Sequence, residues 1–248
     1  MIALVTGASK GIGTACARAL SGAGHRVALV SRDRGALGAV AASLPGESLV
    51  VPADLLDPVA IEAAFDRVEA EWGAVEILVL NAGASMSAPL VRTSDEDWQR
   101  MLDLNLTAPF RCLRRALPSM TSAGFGRVVV IASVAGKVGS ARIAAYTASK
   151  HGVLGLVRTA AMEVAGSGVT VNAVCPGYVD TPMTDESVAN IAAGTGRSPD
   201  EARSILERMQ PIGRLVTVEE VASAAMLCVD NAAINGQGIN VDGGAVQS

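Results

Sequence analysis

Three side chains that can donate or hold a proton lie close together near the middle of the chain: Ser133, Tyr146 and Lys150. Ser133 follows an apolar β-branched run that predicts a strand, whereas Tyr146 and Lys150 are four residues apart in a segment that predicts a helix. Since positions i and i+4 lie on one face of a helix, we expect the phenol and the ammonium to point the same way. A hydroxyl, a phenol and an ammonium in one cleft could protonate a carbonyl oxygen. The Tyr-x-x-x-Lys spacing is common by chance, so this interpretation depends on the elements around it.

A glycine-rich turn near the start of the chain predicts a phosphate-binding site. Gly7, Gly11 and Gly13 come directly after an apolar strand at residues 2–5 and lead into a helix at residues 14–23. Gly7 would permit the tight turn, Gly11 would let the backbone approach a pyrophosphate, and Gly13 would let the helix pack on the strand. The free N–H groups and positive dipole end of the helix would then hold the phosphates. Strand, glycine turn and helix in this order favour a dinucleotide site over a plain turn.

The end of the second predicted strand indicates which dinucleotide binds. An NAD site usually places an acidic residue there to hold the ribose diol, but here the strand ends with Ser31 followed by Arg32. Lys10 in the glycine turn adds a second cation near the same ribose. Two cations and a hydroxyl suit the 2′-phosphate of NADP(H), because that dianion needs charge-assisted partners. We therefore predict NADP(H) in preference to NAD(H). Two alternatives stay open: a different loop register could bring Asp33 to the diol, and Lys10 and Arg32 could be plain surface charges.

Short apolar strands alternate with helices along the whole chain, which is typical of an α/β protein with a parallel sheet covered on both faces. We expect one dinucleotide-binding and catalytic domain over residues 1–248. Capping signals predict helix starts at Asp57, Ser94 and Thr217. The helix that starts at Ser94 is predicted to run unbroken towards Met120.

The alternation stops near residues 184–213, which are polar and rich in glycine. This stretch predicts a small helical lid insertion, with a soft turn at residues 190–196 and a second capping box at Ser198. Such an insertion would lie over the carboxyl ends of the strands, where ligands bind in sheets of this kind. A helical interface is the alternative. The apolar residues of the insertion could serve as packing or as pocket: Met183, Val188, Ile191, Ile205, Leu206 and Met209.

Composition and charge exclude several classes of protein. Of the 248 residues, 50% are hydrophobic and 18% are charged, and the net charge is −4, so a basic nucleic-acid surface is not expected. The four cysteines are widely spaced and only two histidines are present, so no metal site is predicted. No apolar run reaches the roughly 18 residues that a membrane helix needs, and the N-terminus lacks the features of a signal peptide. We expect a cytoplasmic protein with buried free thiols.

Together these motifs resemble those of the short-chain dehydrogenase/reductase family over essentially the whole chain. In chain order they are the glycine turn Thr6–Gly13, Asp54, Asn81-Ala82-Gly83, Asn105, the set Ser133, Tyr146 and Lys150, Pro176-Gly177, Thr181 and the ending Asn235–Gly244. The resemblance implies a single Rossmann-type doubly wound parallel sheet of seven strands. It implies that Asp54 binds adenine and that the dinucleotide contacts the following residues: Gly7, Ser9, Lys10, Gly11, Ile12, Gly13, Ser31, Arg32, Asp54, Leu55, Asn81, Ala82, Gly83, Tyr146, Lys150, Pro176, Gly177, Val179 and Thr181.

The resemblance also implies a mechanism for reducing a ketone. Tyr146 would act as general acid on the carbonyl oxygen, and Ser133 would hold that oxygen through a hydrogen bond. Lys150 would stabilise the phenolate together with the oxidised nicotinamide, since an unperturbed phenol has a pKa near ~10. Asn105 would hold a water that links Lys150 to solvent, so that Tyr146 is reprotonated.

The substrate is predicted from resemblance alone. The segment from Tyr146 to Thr184 is similar to ketoreductases that act on 3-oxoacyl thioesters and polyketides, and to 3-hydroxyacyl-CoA dehydrogenases. A dehydrogenase for a sugar or a cyclic secondary alcohol is the alternative enzyme. A non-catalytic dinucleotide-binding sensor is the alternative from another class, although the complete catalytic set argues against it. Arg142 could meet an acidic carrier or a CoA phosphate, or be a solvated arginine. The family usually forms homotetramers, and we expect one here.

Overall fold

Seven short apolar segments form one parallel sheet in the computed structural model, which describes residues 1–247. The strands are β1 (Ile2–Thr6), β2 (Arg26–Ser31), β3 (Ser48–Pro52), β4 (Ile77–Leu80), β5 (Gly126–Ile131), β6 (Val169–Pro176) and β7 (Gly238–Val241). Their order in the sheet is β3-β2-β1-β4-β5-β6-β7, so the chain winds outwards in two directions from β1. The predicted doubly wound, seven-stranded α/β fold is confirmed.

Helices cover both faces of this sheet. They are α1 (Gly11–Gly22), α2 (Arg34–Ser43), α3 (Pro58–Trp72), α4 (Asp95–Leu102), α5 (Ala108–Ala123), α6 (Ala144–Val164), α7 (Pro182–Thr195), α8 (Pro199–Arg208) and α9 (Val218–Asp230). One large apolar cluster packs α3, α5 and α6 on one face, and a second packs α1, α2 and α9 on the other. Because both faces are covered, the central strands β1, β4 and β5 are nearly continuous apolar runs.

The predicted helix starts are confirmed by their caps. Asp57 accepts a hydrogen bond from the backbone of Val59, and Ser94 accepts one from Asp97. Ser198 and Thr217 each form a complete capping box with the glutamate three residues on. These side chains satisfy backbone donors that the first helical turn leaves free.

Two sequence predictions about helices were wrong. The helix that starts after Ser94 is interrupted, because Asp103–Thr107 forms a π-helical turn between α4 and α5. A π turn is rare and is often found at functional sites, and Asn105 lies in its middle. The turn expected at residues 190–196 is instead mostly helical: α7 continues to Thr195 and ends at Gly196, whose φ of 72° supplies the left-handed cap.

The insertion near residues 184–213 is a pair of helices, α7 and α8, as predicted. It has a small apolar cluster of its own, formed by Val188, Ala202, Leu206 and Leu215. The six apolar residues predicted for the insertion differ in burial. Val188 and Leu206 are buried as packing, Ile191 and Ile205 are half-buried, and Met183 and Met209 are exposed.

The four cysteines are buried and free, as expected. Across residues 1–247, no helix is long and apolar enough to cross a membrane. Within that same part of the chain, no group of histidine, cysteine and carboxylate side chains could hold a metal ion.

Candidate active site

The glycine turn after β1 can be built only with glycine. Gly7 and Gly11 have φ angles of 64° and 58°, in the left-handed region that side chains rarely adopt. A Cβ added to Gly13 would lie 2.2 Å from the carbonyl oxygen of Gly7. The turn is therefore pressed against the start of α1, which is the close packing that the sequence predicts for a dinucleotide site.

Thr6 joins this turn to the end of β4, a role that motif reasoning did not assign to it. Its Oγ1 accepts hydrogen bonds from the backbone N–H groups of Asn81 and Ala82, at 2.9 and 3.1 Å. The Asn81 side chain returns two hydrogen bonds, to the carbonyl oxygens of Thr6 and Gly7, at 3.0 and 3.1 Å. The carboxyl ends of the two central strands are thus locked together at the point where the winding of the sheet reverses, which is where such sheets bind ligands.

The start of α1 is suited to hold an anion. Lys10 occupies the N-cap in an extended conformation and makes no side-chain cap hydrogen bond, and the first turn of α1 contains no acidic residue. Its first backbone donors therefore remain available to phosphate oxygens. Ser9 and Ile12 flank this turn and are half-buried. The cradle of glycine, backbone donors and positive dipole end fits the pyrophosphate of a dinucleotide.

Three groups predicted to bind the 2′-phosphate follow the ends of two neighbouring strands. Ser31 and Arg32 lie at the end of β2, and Lys10 lies in the glycine turn after β1. Arg32 and Lys10 are exposed, and the Oγ of Ser31 is a buried polar atom without a hydrogen-bond partner in the described chain. Asp33 is the N-cap of α2 and accepts a 3.0 Å hydrogen bond from the backbone of Ala36. Its carboxylate is therefore used by the helix that follows.

Two further segments of the predicted cofactor set lie at the ends of β3 and β4: Asp54-Leu55, of which Asp54 is the predicted adenine contact, and Asn81-Ala82-Gly83. Asp54 is exposed and its carboxylate accepts a 3.0 Å hydrogen bond from the backbone of Leu56, while Leu55 is buried. Asn105 reaches back from the π turn to the segment after β4. Its side-chain amide donates to the carbonyl oxygen of Ala84 at 3.0 Å and accepts from the Ala84 N–H at 3.1 Å.

Ser133, Tyr146 and Lys150 meet at the carboxyl end of β5, as the spacing predicts. Tyr146 shares a hydrogen bond with the Ser133 side chain. The Lys150 Nζ atom lies 5.6 Å from the centre of the Tyr146 ring and donates a 2.9 Å hydrogen bond to the carbonyl oxygen of Ile131. Ser133 Oγ also accepts a 3.1 Å hydrogen bond from the backbone of Ala135, which fixes its direction. One cleft therefore holds a hydroxyl, a phenol and an ammonium.

Burial sets the protonation of both titratable groups in this cleft. It raises the pKa of the Tyr146 phenol, and the hydrogen bond with Ser133 offsets this rise only in part. It lowers the pKa of the Lys150 ammonium from 10.5 to about 8. At pH 7 the phenol therefore keeps its proton and the lysine keeps its charge, which is the state needed to donate a proton to a carbonyl oxygen.

The segment after β6 closes the site from the other side. The Gly177 N–H donates to the carbonyl oxygen of Val241 at 3.0 Å, and Val179 pairs with Val216 in a parallel bridge. A Cβ added to Gly11 would lie 3.4 Å from the Thr181 side chain. The end of the segment Pro176 to Thr181 therefore lies beside the glycine turn.

The chain belongs to the short-chain dehydrogenase family, whose sequence pattern it matches over residues 1–192. It is thus an oxidoreductase that uses a nicotinamide dinucleotide to interconvert an alcohol and a carbonyl. It is 38% identical to a D-beta-hydroxybutyrate dehydrogenase of Rhizobium meliloti, over 98% of this chain and 97% of that protein. It is 37% identical to the 3-oxoacyl-[acyl-carrier-protein] reductase of Escherichia coli, over 98% and 96% of the two chains.

Solved structures give the same family. An actinorhodin polyketide ketoreductase crystallised with NADPH superposes with a TM-score of 0.95 at 37% identity, covering 98% of this chain and 96% of that one. A levodione reductase superposes with a TM-score of 0.93 at 29% identity, with the same coverage. The resemblance to this family, and to 3-oxoacyl and polyketide ketoreductases within it, is confirmed.

Proposed function

We propose that this protein is an NADP(H)-dependent reductase of 3-oxoacyl thioesters or polyketide-like ketones. The observation that carries the proposal is the cleft at the end of β5, where Ser133, protonated Tyr146 and charged Lys150 lie beside an anion-binding helix start. Residues 1–248 serve as one domain that binds the dinucleotide and performs the chemistry.

The preference for NADP(H) is supported by the end of β2. Ser31, Arg32 and Lys10 offer a hydroxyl and two exposed cations for a 2′-phosphate. Asp33, the acid next to Arg32, is engaged as the cap of α2. The presence of NADPH in the actinorhodin polyketide ketoreductase structure supports the same choice.

The chain's own residues account for the chemistry at the carbonyl oxygen. The dinucleotide supplies a hydride to the carbonyl carbon when bound. As negative charge develops on the oxygen, Tyr146 donates its phenolic proton to it. Ser133 donates a hydrogen bond to the same oxygen, because its own oxygen already accepts the Ala135 N–H and its proton stays available.

Lys150 and Asn105 return a proton to Tyr146. The ammonium near the phenol stabilises the phenolate that forms, and Lys150 has three donors of which Ile131 takes one. A Cβ added to Gly83 would lie 2.8 Å from Asn105 Oδ1 and 3.8 Å from Lys150 Nζ. The space that Gly83 leaves therefore lies between two polar groups, where a water can join Lys150 to solvent.

The substrate class is supported by an apolar rim around the cleft. Large apolar side chains are exposed in the segments that follow the carboxyl ends of β4, β5 and β6, and together we name them the rim: Leu90, Val91, Val138, Met183, Met209 and Ile212. Exposed apolar side chains on the segments at this edge of the sheet favour an apolar ligand such as an acyl or polyketide chain. The relatives named as ketoacyl reductases support the same class.

A second candidate is a dehydrogenase for a cyclic secondary alcohol. The chain is 39% identical to a cis-4-hydroxycyclohexanecarboxylate dehydrogenase of Sinomonas cyclohexanicum, over 98% of this chain and 95% of that protein. The same cleft would serve it, with the reaction run towards the ketone.

We also propose a cytoplasmic homotetramer. Trp98 on α4, Phe110 on α5 and Met162 on α6 are exposed apolar side chains on helices outside the cleft, and they could pack against further copies of the chain. The four buried free thiols suit a reducing compartment. Light scattering coupled to gel filtration measures the number of copies.

The proposed function is tested by a substrate panel. Acetoacetyl thioesters of CoA and of acyl carrier protein, longer 3-oxoacyl thioesters, bicyclic ketones and cis-4-hydroxycyclohexanecarboxylate are measured with NADPH or NADH, or with the oxidised forms for the alcohol. We expect the highest kcat/KM for a 3-oxoacyl thioester or polyketide-like ketone with NADPH. Arg32→Ala should raise KM for NADPH about 10-fold or more, since a charge-assisted contact contributes about 1.5–3 kcal/mol. A preference for NADH, or for the cyclic alcohol, would overturn the corresponding part of the proposal.

A further inference from the structure

Gln210 is a buried polar side chain at the base of the lid. It follows the end of α8 and is only 1% exposed. A long polar side chain is rarely buried so completely unless its amide is fully used. Its partners therefore indicate what it does.

Both ends of the Gln210 amide hold the backbone of Tyr178. Oε1 accepts a 2.9 Å hydrogen bond from the Tyr178 N–H, and Nε2 donates a 3.1 Å hydrogen bond to the Tyr178 carbonyl oxygen. Nε2 also donates to the carbonyl oxygen of Arg214 at 2.7 Å. The side-chain amide therefore pairs with the Tyr178 N–H and carbonyl oxygen as the backbone of a neighbouring β-strand would. The fit is close, because a Cβ added to Gly177 would lie 2.3 Å from Gln210 Oε1.

The residues that Gln210 contacts on its other side, around Arg214, are themselves held by hydrogen bonds. Arg214 forms two hydrogen bonds with the Glu220 carboxylate, at 2.6 and 2.9 Å, and Glu220 completes the capping box of α9. Val216 donates its N–H to the Tyr178 carbonyl oxygen and accepts the Asp180 N–H, both at 2.9 Å. Gln210 therefore connects the hydrogen-bonded segment 214–220, at the start of α9, to residues 177–181 beside the glycine turn.

We propose that Gln210 is a positioning residue for the reaction, which holds residues 177–181 at the distance that the bound nicotinamide and the ketone require. The inference rests on the proposed function, since it deepens the same site. Tyr178 and Tyr146 lie at the carboxyl ends of neighbouring strands, and Tyr178 is close enough to contribute to the raised pKa of Tyr146. Displacement of the Tyr178 backbone therefore moves a wall of the cleft next to the general acid.

An amide is needed at position 210 because Gln210 Oε1 is the acceptor of the Tyr178 N–H, while the Tyr178 carbonyl oxygen accepts from Val216 as well as from Gln210. Methionine has a similar length and would fill the space, but it would leave the partly buried Tyr178 N–H without its acceptor. Gln210→Met therefore tests positioning with little change in volume. Asn172 provides a matched control, because it is also a buried amide that clamps backbone: it donates to Ile234 at 2.7 Å and accepts from Gln237 at 3.0 Å. It lies in the middle of β6, about 16 Å along the strand from Gly177.

Three measurements are made on wild type, Gln210→Met and Asn172→Leu: Tm, hydrogen exchange of the Tyr178 amide without cofactor, and NADPH binding and turnover. We expect both variants to lower Tm. Gln210→Met should also speed Tyr178 exchange at least about 10-fold, and lower kcat about 10- to 100-fold, because a displacement of about 1 Å can cost two orders of magnitude. NADPH affinity should fall less than kcat. Asn172→Leu should leave kcat and Tyr178 exchange within about twofold of wild type.

The inference is overturned if Gln210→Met keeps kcat within twofold of the Asn172→Leu control, or if Tyr178 exchange is unchanged. Gln210→Glu is the second variant should the methionine protein not fold, because it keeps the acceptor for the Tyr178 N–H and loses both donors. It should give a smaller loss of kcat in the same direction, and an unchanged kcat again overturns the inference. Failure of the wild-type protein to reduce any ketone rejects the proposed function instead, and the exchange and NADPH-binding results still decide whether Gln210 positions this segment.

Discussion

The two sides of the candidate cleft are built in opposite ways. The inner edge is half-buried or buried and densely hydrogen-bonded at the ends of the central strands; it consists of Thr6, Asn81, Asn105, Ser133, Tyr146 and Lys150. The rim is exposed and apolar, and it lies on loops and on the lid. The inner edge fixes groups that must reach one oxygen atom, whereas the rim only has to exclude water and fit a chain. This contrast explains how a family can keep one reaction and vary its substrates.

The Tyr146→Phe variant tests the inner edge most severely. Removal of one hydroxyl should lower kcat by about 10²- to 10⁴-fold, which is the usual contribution of a general acid. The fold should be unaffected, because the phenyl ring keeps the packing of the phenol. Turnover is measured alongside circular dichroism and NADPH binding. A folded variant that binds NADPH and retains most of its turnover would remove Tyr146 from the mechanism.

Lys150→Met should show that the inner edge favours function at the expense of stability. Burial disfavours the charged form of Lys150, and the fall in its pKa from 10.5 to about 8 corresponds to about 3 kcal/mol. The variant should lose turnover at least about 100-fold, yet unfold with a free energy about 1–2 kcal/mol higher at pH 7, since Ile131 loses a donor and offsets part of the gain. Urea unfolding without cofactor measures this difference.

The pH dependence of stability gives a second check on Lys150. Below pH 8 the lysine is protonated in both the folded and the unfolded protein, so the cost of burying its charge is fully present. Between pH 8 and about 10.5 the folded protein loses this proton first, so the Lys150 contribution should raise stability as pH increases. Lys150→Met should lack that rise. An identical pH profile in both proteins would show that Lys150 is not buried as a charge.

The sequence predicted that Ser133, Tyr146 and Lys150 come together and that a glycine turn follows β1, because the chemistry and geometry of these positions restrict which residues can occupy them. A positive φ at Gly7 and the close contact at Gly13 allow little besides glycine, and the spacing of Tyr146 and Lys150 gains its meaning from the glycine turn that accompanies it. Gln210 carried no such signal, because its role depends on two backbone groups 32 residues away in the chain. The π turn around Asn105 was missed for a related reason: one extra residue in a helical turn does not change the apolar pattern enough to be seen.

The rim should control affinity for long substrates and little else. Met183→Ser with Met209→Ser should raise KM for a long 3-oxoacyl thioester about 10-fold, because each buried CH₂ of substrate contributes roughly 0.8 kcal/mol. KM for an acetoacetyl thioester and kcat for both should change less than about threefold. Leu227→Ser is the matched control, since Leu227 is 48% exposed near the end of α9 and belongs to neither the rim nor the proposed subunit contacts. Equal KM changes for short and long substrates would show that these methionines do not contact the chain.

Substitutions of Arg142, in the loop before α6, should give the smallest changes in stability and KM. Two variants distinguish the effect of its backbone conformation from the effect of its charge. Its φ of 70° lies in the left-handed region, which disfavours every residue except glycine by about 1–2 kcal/mol. Its carbonyl oxygen accepts a 2.7 Å hydrogen bond from Ala88, next to a bridge between Ala88 and Ile143, so the loop is held in this conformation. Arg142→Gly should therefore raise Tm by about 1–3 °C after its own entropy cost, whereas Arg142→Ala should not. Both variants lose the guanidinium, so a matching rise in KM for acyl carrier protein substrates in the two would assign the charge to an acidic carrier. A higher Tm in Arg142→Ala than in Arg142→Gly would contradict the strain at this position.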